Sequence, residues 1–291
     1  MAPILNFALA LAMPILSLAA ALPTGAELEN RATTLGGTPD IVGGTTAALG
    51  EFPYIVSLSY SGSHFCGGVL LNAYTVLTAA HCSVSYSASS VKVRAGTLTW
   101  ASGGTQVGVS KVVVHPSYSS STTNNDIALW HLSTALPASS TIGYAKLPVQ
   151  GSDPVVGSTT TVAGWYVFPM LQQILFEEKA LTVNRGLLTE NGSTLPSTLR
   201  KVSVPVISRA SCQAEYGTSA VTTNMWCAGY AAGGKDSCSG DSGGPIIDTA
   251  TGVLEGTVSW GQGCAEAGYA GVYARVGNYV TYINSNLWTS L

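Results

Sequence analysis

Charge is scarce in this chain. Only 9% of its 291 residues are Asp, Glu, Lys or Arg, against about a quarter in ordinary globular proteins, so Ser, Thr, Gly and Asn must cover its surface in place of ion pairs. The 12 Lys+Arg and 15 Asp+Glu leave a net charge of -3 with no basic block, which excludes the electrostatic footprint of a nucleic-acid binder. Helical periodicity is as scarce. One stretch, 276–291, carries apolar residues at helix-like spacing (Val276, Tyr279, Val280, Ile283, Leu287) and predicts a C-terminal helix. Acidic residues are absent altogether from 52–125, so Asp126, which ends the gap, stands alone at the head of an apolar run. Disorder is excluded by what is abundant: with 46% hydrophobic and 8% aromatic residues, the chain can bury enough surface to offset its ordering entropy.

The apolar run 4–22 is interrupted by Asn6, Pro14 and Ser17 and ends in Ala19, Ala20 and Ala21. Its small-residue end reads as a secretory signal peptide over 1–21, although no Lys or Arg precedes it. A membrane anchor is disfavoured because no Lys or Arg follows until Arg31. Residues 22–40, polar and rich in Thr and Gly, have the composition of a propeptide. All six cysteines lie beyond them, at 66, 82, 212, 227, 238 and 264. An even count in an exported chain points to three disulfides, for which sequence alone admits fifteen pairings. The expected location is extracellular.

From residue 41 onward the texture is all-β. Short runs at 54–58, 91–94, 111–114, 159–162, 254–259 and 271–274 are rich in Val, Ile, Thr and Tyr and are separated by Gly, Ser and Asn clusters. That spacing suggests a barrel or a sandwich.

Four short strings carry chemistry. In Gly240-Asp241-Ser242-Gly243-Gly244-Pro245, glycines crowd a serine on both sides. A serine hydroxyl needs a base, an exposing turn and free backbone N–H groups to act as a nucleophile, and taken alone such a string is more often a loop. In Leu77-Thr-Ala-Ala-His81-Cys82, a histidine ends an apolar run beside a cysteine. In Asn124-Asn125-Asp126-Ile127-Ala128-Leu129, a carboxylate enters an apolar strand. Buried, it needs a partner, and an imidazole N–H would satisfy it. The fourth string is Asp40-Ile41-Val42-Gly43-Gly44.

Taken in order, Ile-Val-Gly-Gly, Thr-Ala-Ala-His-Cys, Asp-Ile-Ala-Leu and Gly-Asp-Ser-Gly-Gly-Pro resemble the trypsin-like serine proteases of the chymotrypsin family, over 41–291. The resemblance implies two six-stranded antiparallel β-barrels with the active site between them. It implies that Ser242 attacks the scissile carbonyl, His81 acts as base and then acid, Asp126 orients His81, and the N–H groups of Gly240 and Ser242 bind the oxyanion. It implies that Ser259 hydrogen-bonds near Asp126 and, with Trp260, lines the substrate channel. Its pairing is Cys66 with Cys82, Cys212 with Cys227, and Cys238 with Cys264. Three bridges with none left over are closest in character to the fungal trypsins.

In the same resemblance Asp236, with Ser237 beside it, forms the base of a specificity pocket walled by Gly261 and Gly271. The expectation is a secreted endopeptidase that cleaves protein or peptide substrates after Arg and Lys. Its precursor would be activated when a new amine at Ile41 pairs with Asp241. Because Asp40 precedes Ile41, another protease must make that cut. Protein protease inhibitors are expected partners, with no nucleic acid or membrane, and the chain is expected to be a monomer without a cofactor. No metal is expected either: the stretch between His81 and Asp126 has no acid, and His64, His115 and His131 have no ligand-like spacing and read as surface or loop residues. Asn191-Gly192-Ser193 is a glycosylation acceptor by pattern.

One segment departs from the family, which calls for Gly directly after Ala163-Gly164-Trp165. Here 166–185 intervene, with Phe168, Met170, Leu171, Ile174, Leu175 and Phe176 among them. Removing those residues joins Trp165 to Gly186. Their flanks, read as codons, accommodate a splice donor at Trp-Tyr-Val, a branch site at Leu181-Thr182 and an acceptor at Asn184-Arg185. We read the segment as a retained intron, and the alternative function is a catalytically impaired, protease-like binding protein owing to it.

Overall fold

The computed structural model describes residues 41–165 and 198–290. The signal peptide, the propeptide, the 166–185 insert and Asn191 all lie outside them. Among the described residues no helix is long and apolar enough to cross a membrane.

The chain opens with β1 (Thr45–Thr46), followed by β2 (Ile55–Tyr60), β3 (Ser63–Asn72), β4 (Thr75–Thr78), β5 (Val91–Ala95), β6 (Thr105–Val114) and β7 (Ala128–Leu132). The last six close an antiparallel barrel in the order β2-β3-β4-β7-β6-β5, with β5 pairing back onto β2. Alternation drives it: in β5 Val91, Val93 and Ala95 point inward while Lys92 points to solvent. A second set follows: β8 (Thr159–Gly164), β9 (Arg200–Ile207), β10 (Met225–Ala228), β11 (Pro245–Asp248), β12 (Leu254–Trp260) and β13 (Gly271–Arg275). These run β9-β10-β13-β12-β11-β8, and β8 pairs with β9 to close a second six-stranded barrel, with β1 strapped to the outside of β9. Val162, Val204, Trp226, Val258 and Tyr273 fill part of its core.

Two helices depart from the sequence reading. The expected C-terminal helix is shorter than 276–291: a 3-10 turn, Val276–Tyr279, leads into α2 (Val280–Ser285), and the chain then runs extended. The tail is spent elsewhere. Trp288 N–H donates to Thr75 Oγ1 at 2.8 Å, and His131 Nε2 lies 3.0 Å from the Asn286 carbonyl, so the tail straps the second barrel's end onto the first. An unanticipated helix, α1 (Arg209–Tyr216), buries only Cys212 and so carries no apolar stripe to read. Ser208 caps it by accepting the Ser211 N–H at 3.0 Å, and Gly217 at φ 93° ends it. The barrels meet backbone to backbone, where Gly67 N–H in β3 donates to the Ser242 carbonyl at 2.8 Å. A Cβ on Gly67 would stand 2.9 Å from Gly244 Cα, so this approach requires glycine.

Candidate active site

His81 and Asp126 meet because their strands do. β4 pairs antiparallel with β7, Thr78 opposite Ala128, so the residues just past one strand lie beside those just before the other. Asp126 Oδ1 accepts the His81 backbone N–H at 2.8 Å, and Oδ2 accepts His81 Nδ1–H at 2.8 Å. Ser259 Oγ, from the end of β12, donates to Oδ2 at 2.6 Å. The carboxylate is buried with three donors around it, which satisfies a group that would otherwise be strongly penalised. With Nδ1 carrying the proton, Nε2 is left as the basic nitrogen of an imidazole whose side chain is 30% exposed.

Ser242 lies in the turn before β11, half-buried, and that turn is pinned from several sides. Gly243 N–H donates to Val258 O at 2.8 Å and Gly244 N–H to Asp241 O at 2.8 Å. Gly243 sits at φ +75°, and a Cβ there would stand 2.1 Å from Thr78 Oγ1, so no other residue fits. Among the described residues the N–H groups of Gly240 and Ser242 donate to no protein acceptor. Two unspent donors beside a serine are what a developing oxyanion requires.

A cavity of ≈ 160 Å³ is lined by Ser242, Ser259, Trp260, Gly261, Gly271, Asp236 and Ser237 among others. Asp236 is buried, and its carboxylate accepts Ser237 N–H at 2.8 Å and Ala265 N–H at 3.1 Å. Burial pushes it up to about 6, against the pull of those donors. A Cβ on Gly271 would stand 2.6 Å from Asp236 Oδ1 and 2.9 Å from Tyr273 Oη, whereas one on Gly261 would meet nothing nearer than 3.8 Å. Gly271 is therefore forced by the carboxylate, and Gly261 keeps a wall open. Trp260 packs edge-on against Tyr216, with ring centroids 4.9 Å apart.

Asp241 is fully buried. Its Oδ2 accepts Cys238 N–H at 2.9 Å, and among the described residues its Oδ1 has no hydrogen-bond partner. Burial pushes it up to about 8. Ile41 is fully buried in the second barrel's core, and the next residue, Val42, pairs with Asp236, whose N–H donates to the Val42 carbonyl at 3.3 Å. The chain's 41–42 segment is thus wired to the cavity floor.

The reading of His64 and His131 as surface or loop residues needs correction. Both are buried within strands, His64 in β3 and His131 in β7. Burial pushes His64 down to about 4, so its ring is neutral at neutral pH. Its Nε2–H then donates to Gly240 O at 3.0 Å, while its Nδ1 accepts Ser57 Oγ–H at 2.8 Å. This tie from the first barrel to the Gly240 carbonyl went unread, although His64 shares strand parity with the buried Cys66. The disulfides are Cys66–Cys82, Cys212–Cys227 and Cys238–Cys264. Cys66, His81 and Cys82 cluster, but both sulfurs are bonded to each other and offer no thiolate.

This arrangement, set between two antiparallel barrels, is that of a chymotrypsin-like serine endopeptidase. The chain belongs to the trypsin family, whose family model, Trypsin, matches residues 41–167 and 172–283. It is 45% identical over 247 residues to Trypsin Blo t 3 of Blomia tropicalis, covering 84% of each chain. It is 41% identical over 249 residues to Trypsin beta of Drosophila erecta, covering 84% of this chain and 88% of that one. Against Trypsin I-P1 of Gallus gallus it is 41% identical over 250 residues, covering 85% and 89%.

Proposed function

We propose that this chain is a secreted endopeptidase, made as a zymogen, that cleaves after Arg and Lys. The observation that supports the specificity is Asp236, a buried carboxylate that lines the same ≈ 160 Å³ cavity as Ser242. A guanidinium or ammonium entering there would supply the charge partner that burial denies it.

In the mechanism, His81 Nε2 takes the Ser242 proton as Oγ attacks the scissile carbonyl. The N–H groups of Gly240 and Ser242 receive the oxyanion, and His81 then passes the proton to the leaving amine. Asp126, fixed by Ser259, holds the tautomer and favours the transient imidazolium. Activation is a cut between Asp40 and Ile41. The new amine would meet Asp241, whose buried and partly unpartnered carboxylate supports that pairing. An enzyme selective for basic residues cuts after Asp40 poorly, so another protease performs the step. Residues 1–21 and 22–40 serve as signal and propeptide, and protein protease inhibitors are the expected partners of a monomeric extracellular enzyme. Kinship with fungal trypsins has only the three-bridge count behind it, since the relatives named above come from a mite, a fly and a chicken.

The test is covalent labelling of Ser242 in the activated enzyme by a serine-directed reagent, followed by peptide-library profiling. Label at Ser242 with cleavage after Arg and Lys is expected, and Asp236→Ser should lower kcat/KM on those substrates by about a hundredfold or more. Comparable turnover of Phe- or Leu-terminated substrates would sink the specificity.

A further inference from the structure

The two asparagines ahead of Asp126 take no part in the chemistry above, yet their side chains are the most heavily engaged on that segment. The backbone there is strained: Thr123 at φ 52° and Asn125 at φ 56° both occupy the left-handed region. Asparagine tolerates it, whereas a β-branched threonine does so rarely. This double turn drives Asp126 inward, and Ile127 N–H closes back on the Asn125 carbonyl at 2.8 Å.

What restrains the turn comes mainly from the other barrel. Asn124 Oδ1 accepts Thr222 Oγ1 at 2.8 Å and Asn224 Nδ2 at 3.1 Å. Asn125 Oδ1 accepts the same Asn224 Nδ2 at 3.0 Å and Tyr279 Oη–H at 3.2 Å. On its other side Asn125 Nδ2 donates to Ser117 O at 2.8 Å. Asn224 is itself fixed, its Oδ1 accepting Asn278 Nδ2 at 3.0 Å and its carbonyl accepting Arg275 N–H at 2.9 Å. One carboxamide from the stretch between α1 and β10 therefore bridges both asparagines that precede the triad carboxylate.

We propose that Asn224, with Tyr279 and Asn125, forms an inter-barrel clamp that positions Asp126 against His81. Ser259 holds the carboxylate itself from the second barrel, and Asn224 and Tyr279 hold the side chains of the residues just before it from that same side. Asp126 thus belongs to the first barrel by sequence and to the second by restraint, and any slip between barrels moves the His81 hydrogen bond with it. These are positioning residues, and the inference rests on the triad reading of His81, Asp126 and Ser242.

The experiment compares the activated enzyme with Asn224→Ala, Asn125→Gly and Tyr279→Phe. Glycine keeps the left-handed backbone without strain and removes only the carboxamide, so it separates the clamp from the turn. Two readouts are taken: kcat and KM per active site titrated with the serine reagent, and the downfield proton signal of His81 Nδ1–H by NMR. Asn224→Ala and Asn125→Gly should each lower kcat about five- to tenfold at unchanged KM, and Tyr279→Phe about twofold. The Nδ1 proton should broaden and exchange faster in the same order. Full kcat per titrated site and an unmoved signal in Asn125→Gly would overturn the clamp, as would a loss confined to thermal stability or to the number of titrated sites. The NMR signal needs no turnover, so the clamp can fail while proteolysis stands. A wild type that takes no label fails the functional reading instead, and the proton signal still judges the clamp.

Discussion

Asp236 faces the cavity with two accepted N–H bonds and no cation among the described groups, and burial leaves it titrating at about 6 in place of the ordinary 3.8. The sign follows from linkage. A carboxyl raised in the folded state contributes stability fully present below its ordinary pKa, and that stability is lost as pH rises through about 6. A bound cation reverses the preference, because it interacts with the carboxylate and not with the acid. Affinity for a small amidinium should therefore climb with pH and level off above about 6. Titration calorimetry on Ser242→Ala isolates this from His81-dependent chemistry, and a flat affinity from about pH 5 to about pH 8 would contradict it. At the residue scale much was legible: His81, Asp126 and Ser242 stand in strings whose order carries the resemblance, and Asp236 lies six residues before Ser242. His64, Asn224 and Tyr279 were not, because each acts through partners more than 90 residues away in the chain, and no local pattern encodes that distance.

Among the elements, the strands that could be read were those where β-branched or aromatic residues recur with no more than one glycine, such as 91–94 in β5 and 254–259 in β12. β3 escaped because Gly67 and Gly68 sit inside it and read as a break. Both are demanded by packing: a Cβ on Gly68 would stand 2.7 Å from Val76 Cγ1, as one on Gly67 would crowd Gly244. The loops before β11 and after β12 lie outside the strands. They are joined by Cys238–Cys264, which closes a stretch of 26 residues containing Asp241 and Ser242. Constraining a loop of that length is worth about 3 kcal/mol, and here the constraint falls on the cavity wall. Replacing both cysteines by alanine should leave the barrels folded, lower Tm, and raise KM for basic substrates more than it lowers kcat. An unchanged KM in steady-state assays would show that the bridge serves stability alone.

At the scale of the whole molecule, the residues flanking 166–197 bear directly on the site. The flanks of the undescribed stretch converge: Trp165 Nε1–H and Leu199 N–H donate to the same Leu98 carbonyl, at 2.8 and 2.7 Å. A connection whose ends share one acceptor needs little length, and 186–197 alone suffice to make it. The start of the stretch is also sensitive. A Cβ on Gly164 would stand 2.1 Å from Asp241 Oδ1, so the strand leading into the stretch packs against the carboxylate proposed to receive the new amine. Six large apolar residues in that segment are expected to promote association, whereas a shorter loop closes at lower entropic cost. We expect the form lacking 166–185 to be more soluble than the 291-residue chain and to titrate a larger fraction of active sites. Gel filtration and active-site titration of the two purified forms check this, and transcript sequencing checks the splicing reading behind it. Equal solubility and equal titre, with only the unspliced transcript found, would make the segment a genuine loop of this enzyme.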